Sequence, residues 1–193
     1  MKLLRSALWV TIPLLLSFQN TARAQSTTEP IIAKQRQISY NIQPDGSKTF
    51  LHKHEGAFYR SSSGASMNTL DETSTFIDEQ GNTYEINHTK KVAKLVQTGS
   101  PLPHEIIKNI RPEWIQGFEN VNGLECAIRP ILVNGEPGGK NYSNLTYGLQ
   151  VKSEWTEPGG SHLMVRELYD VKVAEPDPAL VRIPDGYSLI TEQ

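Results

Sequence analysis

His52-Lys53-His54 is the densest concentration of chemistry-bearing side chains in the sequence. On a β-strand, residues two apart share a face, so the two imidazoles stand about 7 Å apart at Cα. Such a pair can hold zinc or copper when a third ligand arrives from elsewhere in the fold. Glu55 follows directly but points to the opposite face. With no third ligand visible, His52 and His54 read first as a solvated polar pair. An exported hydrolase or metal-dependent enzyme built on them stands as the alternative. The sequence has no GxSxG, HExxH, CxxC or P-loop pattern. Ser61-Ser62-Ser63-Gly64 is turn chemistry. GEPGGK (135–140) lacks the strand-to-helix context that a phosphate loop needs. Many acids are present, and nothing selects a catalytic pair among them.

A second group of residues can bind rather than react. Tyr147, Leu149, Val151, Ser153 and Trp155 alternate with Gly148, Gln150, Lys152 and Glu154. This period of two predicts a strand with one apolar and one solvated face. Tyr147, Leu149, Val151 and Trp155 are therefore the candidate ligand-binding residues on the concave side of a bent sheet. Apolar and aromatic groups line pockets of that kind, and they line a closed core equally well. Cys126 is the sole cysteine. It alternates in phase with Leu124 and Ile128, which places the sulfur on the apolar face of a strand as a small buried residue.

These residues sit in a chain that announces export. Lys2 and Arg5 precede an apolar stretch, Ala7 to Phe18, and Ala22-Arg23-Ala24 supplies a small-x-small cleavage pattern. This is the layout of a secretory signal peptide over residues 1–24, cleaved between Ala24 and Gln25; the apolar stretch is shorter than the about 20 residues a membrane span needs. Removing it takes away Lys2, Arg5 and Arg23 and no acid. The 19 basic and 21 acidic residues become 16 and 21, and the formal charge moves from −2 to −5. A net negative chain without basic clusters argues against nucleic acid and anionic membrane as partners. A lone thiol makes no internal disulfide, so stability must come from the core, which a chain of this length can supply.

The elements that position the candidates are nearly all strands. Residues 25–33 read as a loose mature N-terminus. Ile38, Tyr40 and Ile42 alternate with polar neighbours before the turn Pro44-Asp45-Gly46. A strand follows over about 49–60. The stretch 74–96 is a meander whose Gly/Asn turns force antiparallel pairing. Ile106, Ile107 and Ile110 mark one helix, limited to about two turns by Pro112, after which Trp114 and Ile115 are expected to plug the core. Residues 161–173 return as a long strand. There Glu167 falls on the apolar phase of Leu163, Val165 and Tyr169. A bulge that resets the register explains this better than a buried acid. Near the end, Asp177 caps a short turn begun by Pro178; Ala179, Leu180 and Val181 pack under the sheet edge, and Tyr187 to Ile190 closes as a strand.

The closing segment PDPALVRIPDGY (176–187) resembles the C-terminal PDPALF-x-VP-x-GY-like motif of a group of uncharacterised secreted bacterial proteins, with Val181 where that group has phenylalanine. FIDEQGNTYEINHTKKVAKLV (76–96), GLECAIRPI (123–131) and EWTEPGGSHLMVRELYDV (154–171) resemble further strands of the same group. Proteins of this kind are distantly similar to the outer-membrane lipoprotein carrier (LolA-like) and related sigma-factor regulators. The resemblance implies a half-open antiparallel barrel with helices over its concave face. This chain departs from the carriers in having one helix candidate instead of several.

The expectation is a mainly β (α+β) fold: a curved antiparallel sheet or half-barrel over residues 34–193, covered by one short helix. The expected protein is periplasmic or secreted and non-enzymatic, with no cofactor and no membrane span once the signal peptide is removed. It binds an apolar ligand, a lipid or a lipidated segment of a lipoprotein, or senses the state of the envelope. A scaffold role in the envelope is a further alternative.

Overall fold

The structure is a computed structural model that describes residues 28–157 and 160–191. The expected signal peptide and its cleavage point lie outside the described residues. Twelve strands form one sheet in the order β12-β6-β5-β4-β3-β2-β1-β11-β10-β9-β8-β7. Strand β1 spans Ile31–Ile42, β2 Lys48–Arg60, β3 Ser66–Leu70, β4 Thr73–Ile77, β5 Thr83–Asn87 and β6 Val92–Gln97. Helix α1, Pro103–Lys108, follows. Then come β7 (Gly117–Val121), β8 (Leu124–Val133), β9 (Glu136–Asn144), β10 (Leu149–Thr156), β11 (His162–Val173) and β12 (Ser188–Thr191). Ten of the neighbouring pairs are antiparallel; β12 alone runs parallel, along β6. The mainly antiparallel curved sheet with one short helix is the expected fold.

The order follows from local chemistry. Consecutive strands joined by short turns can pair only as hairpins, and this builds β1–β6 as one meander and β7–β11 as another. The two are sewn together where β1 pairs with β11, from Ile31↔Val173 to Asn41↔His162. Strand β1 therefore begins inside the segment expected to be loose, and Ile31 and Ala33 are buried there. Their apolar side chains find partners in strands from both halves, which holds the N-terminal entry in place.

Two apolar clusters lie on opposite faces of the sheet. Ile31, Ala33, Leu149, Val151 and Leu168 belong to the cluster on the side of α1, with Cys126, Val121 and Tyr142. Met67, Phe76, Ile86 and Ala93 form the second, and Val181, Ile183 and Tyr187 of the tail pack against it. The alternation of strands accounts for the split: Ser66 and Asn68 on β3 face α1, while Met67 between them faces the tail. The Asp177 carboxylate accepts from the Ala179 amide at 2.8 Å, so the capped turn forms as expected.

Three local expectations are corrected. Trp114 is 52% exposed and stacks under the Arg111 guanidinium instead of plugging the core. The turn Pro112–Trp114 is too short to carry the ring over the sheet. Within the tail, Leu180 stays exposed and Ile183 takes its place under the sheet. The register of β11 resets at Asp170, which has φ 51°, and not at Glu167; the shift lies opposite Ile32 and Lys34 of β1. Glu167 keeps its phase because Arg36 stands directly across from it and pairs with its carboxylate.

Candidate functional site

The concave side of the sheet holds a pocket of about 280 Å³ between α1 and strands β1–β4, β10 and β11. Its apolar wall comes from Phe58, Ile77, Ile107, Leu149, Val151 and Leu168. Its polar lining includes Gln35, Arg60, Ser66, His104, Ser153 and Arg166, with Lys152 and Glu167 also bordering it.

The roof is short and held at both ends. Pro103 occupies the first position of α1, where its missing N–H costs nothing. Glu105 Oε2 accepts from the Leu102 amide at 3.2 Å. His104 and Ile107, three residues apart, are the buried residues of the helix and face the sheet. Two glycines permit the close approach. A Cβ on Gly148 would stand 2.7 Å from the His104 carbonyl oxygen, and one on Gly64 would stand 2.8 Å from both the His104 ring and Leu102.

Arg60 anchors this end of the pocket. It is 3% exposed, and its guanidinium donates to the Glu29 carbonyl, the Tyr147 carbonyl at 2.7 Å and the Gly148 carbonyl at 3.0 Å. All are neutral oxygens. Burial pulls its pKa down to about 10. His104 is 3% exposed, and neither ring nitrogen has a hydrogen-bond partner. Burial, and after it the nearby Arg60 charge, holds its pKa below the usual histidine range.

The other end is built by β1, β10 and β11. Gln37 and Ser153 both stand directly across from Arg166, and Gln35 stands across from Leu168. These residues thus share one face in adjacent rows. Arg166 donates from Nε and Nη2 to Gln37 Oε1, and burial lowers its pKa. Gln35 is 1% exposed and its Nε2 has no partner.

The candidates from sequence divide. Leu149 and Val151 are buried and line the pocket. Tyr147 lies in the turn before β10 instead of in the strand; its ring packs against the apolar cluster while its carbonyl serves Arg60. Trp155 stands across from Met164, beyond the row of Ser153 and Arg166, and is not part of the lining. His52 and His54 do share a face of β2, with ring centroids 4.8 Å apart. His54 Nδ1 is engaged by the Asp71 carboxylate. Among the described residues no three His, Cys, Asp or Glu side chains are grouped to hold a metal. Cys126 is buried and free, and burial, with Glu119 adding to it, pushes its thiol up to about 11. A thiol held protonated in this way is unreactive.

The sequence reading missed Gln35, Arg60, His104 and Arg166. A signal for Arg166 existed in the even-numbered phase Met164, Arg166, Leu168 of β11, a second face that mixes one cation with apolar residues. For Gln35, Arg60 and His104 only the assembled fold supplies the argument.

No family model and no curated protein matches this chain. Among solved structures, an uncharacterized conserved protein from Thermus thermophilus overlays 82% of this chain and 90% of its own, at 10% identity and a TM-score of 0.49. A LolA superfamily protein from Nitrosomonas europaea overlays 80% of this chain and 91% of its own, at 8% identity and a TM-score of 0.31. The Pseudomonas aeruginosa MucA/MucB complex overlays 83% of this chain at 14% identity and a TM-score of 0.37; the match spans 59% of that chain. All three are distant likenesses of the fold, at identities of 8%, 10% and 14%.

Proposed function

We propose that this is an exported, non-enzymatic binding protein that takes one small apolar ligand, such as an acyl segment of a lipid or of a lipidated protein, in the pocket beneath α1. The observation that carries this reading is the apolar wall of Phe58, Ile77, Ile107, Leu149, Val151 and Leu168 around about 280 Å³. That volume is at the lower end for ligand pockets, which are mostly apolar with a few placed polar groups. It suits one chain and not several. In this reading Leu149 and Val151 are contact residues, and Tyr147 supports the wall from behind.

Native mass spectrometry of the exported protein tests the reading. A start at Gln25 and one co-purifying acyl-bearing molecule per chain are expected. Val151→Trp fills the pocket and should abolish the adduct while far-UV circular dichroism stays unchanged. Stoichiometric adduct retained by Val151→Trp would remove the pocket from consideration.

A further inference from the structure

The polar groups at the β1–β11 end of the pocket go unanswered by the protein. Gln35 is 1% exposed and lines the pocket, yet its Nε2 donates to nothing. A buried donor left unpaired costs about 1–3 kcal/mol, so the site gains when an acceptor arrives. Arg166 lines the pocket one row away, across from Gln37. Its only protein acceptor among the described residues is the neutral Gln37 Oε1.

The acids that could neutralise Arg166 are committed elsewhere. Glu167 follows it in sequence and also borders the pocket, but its carboxylate is taken by Arg36. Glu154, beside Ser153, is paired with Lys152 at 2.6 Å. Asp71 holds His54, which stands on β2 directly across from Gln37. A cation and an unpaired amide donor thus face the same recess, and the acid that borders it, Glu167, is already paired with Arg36. Beside them lie Leu168 and Val151, which are apolar and buried.

We propose that the pocket selects an anionic amphiphile. Its carboxylate is seated by the Arg166 guanidinium and the Gln35 amide, and its short apolar chain runs along Leu168 and Val151 toward Ile107. This rests on the apolar-ligand reading above and adds the chemistry of the head. At about 30 Å³ per water-sized unit, the cavity of about 280 Å³ accommodates a chain on the order of ten heavy atoms. Guanidinium and amide donors together match the two oxygens of a carboxylate.

Calorimetric titration of the mature protein with decanoate, decanol and acetate tests this. Decanoate should bind at one site, decanol at least about tenfold more weakly, and acetate not measurably, because one charge-assisted hydrogen bond is worth that factor or more. Arg166→Gln should collapse the ratio between decanoate and decanol to near one. Arg166→Lys should keep part of the preference. Equal binding of decanoate and decanol by the unmodified protein overturns the anionic head and leaves the apolar pocket standing. Failure of both ligands overturns the pocket reading as well. Tight acetate binding would also overturn the proposal, since the chain would then contribute nothing. The comparison of ligands on the unmodified protein decides the matter even where the Arg166 variants fold poorly.

Discussion

Arg60 and Gly148 are 88 residues apart in the chain, and the Arg60 Nη1 donates to the Gly148 carbonyl at 3.0 Å in the buried interior. The same guanidinium holds the carbonyls of Glu29 and Tyr147. One side chain at the end of β2 thus ties the N-terminal entry to the turn before β10. The contact joins the two meanders of the sheet on the side where α1 sits.

Arg60→Leu should therefore destabilise the fold by at least about 2 kcal/mol, because it leaves buried carbonyls without a donor. Arg60→Lys should restore only part of this, since a point charge cannot fork to several acceptors. Urea unfolding followed by Trp fluorescence measures both. A loss below about 0.5 kcal/mol for Arg60→Leu would show that the carbonyls find other partners.

The seat of α1 can be probed through a glycine. Gly64 has φ +90°, and a Cβ there would meet His104 and Leu102 at 2.8 Å. Gly46 has φ +83° and open space around it. Gly46→Ala should cost about 1 kcal/mol from backbone strain alone. Gly64→Ala should cost more and weaken ligand binding, since its Cβ pushes on the roof. The difference between the two variants isolates the helix contact.

How much of this was legible from the residues alone depends on the length of the signal. The strand alternation over 147–155 and the meander over 74–96 are local patterns, and both form. Strand β9, Glu136–Asn144, carries two glycines and a proline and gives no periodic signal; it exists because β8 and β10 offer it ladders on both sides. The pocket is harder still. Leu149 and Val151 were readable as apolar-face residues, whereas Gln35 and Arg60 look like ordinary polar positions on strands. Only the pairing of β1 with β11, between residues more than a hundred positions apart, makes Gln35 a buried donor beside Arg166. His52 and His54 show the reverse: the shared face was legible, and Asp71, which takes up His54, comes from the turn after β3.

His104 gives the protein an acid-sensitive stability. Its pKa in the folded state is lowered by burial and by Arg60, with Lys108 in the same sense and Glu105 and Glu29 opposing. Above pH about 6.5, the ordinary histidine value, the ring is neutral in both folded and unfolded chains and stability is full. As pH falls below that value the unfolded chain takes the proton first, and stability declines until the lower folded value is passed. The slope for one proton is at most about 1.4 kcal/mol per pH unit. His104→Leu should flatten this part of the curve. The check is the difference between the two unfolding curves from about pH 7.5 to about pH 4.5, in which the contributions of the other histidines cancel. Parallel curves would mean that His104 charges freely in the fold.

The tail is held by a chain of hydrogen bonds as well as by apolar contact. The Tyr187 hydroxyl and His88 Nδ1 are 2.9 Å apart, and His88 Nε2 lies 2.7 Å from the Ser74 hydroxyl. Ser74, Ile86 and Phe76 share the face that Val181, Ile183 and Tyr187 cover. Tyr187→Phe keeps the ring and removes the bond, so it should cost about 1 kcal/mol. Ile183→Ala removes packing from a half-buried site and should cost about 1–3 kcal/mol, below the full-core range. If the tail is a structural cover, hydrogen exchange at the β5 and β6 amides should accelerate in both variants, because β12 reaches the sheet only through β6. Ligand binding should be unaffected, since the pocket lies on the opposite face. Loss of binding in Tyr187→Phe with the fold intact would instead connect the two faces and contradict their separation.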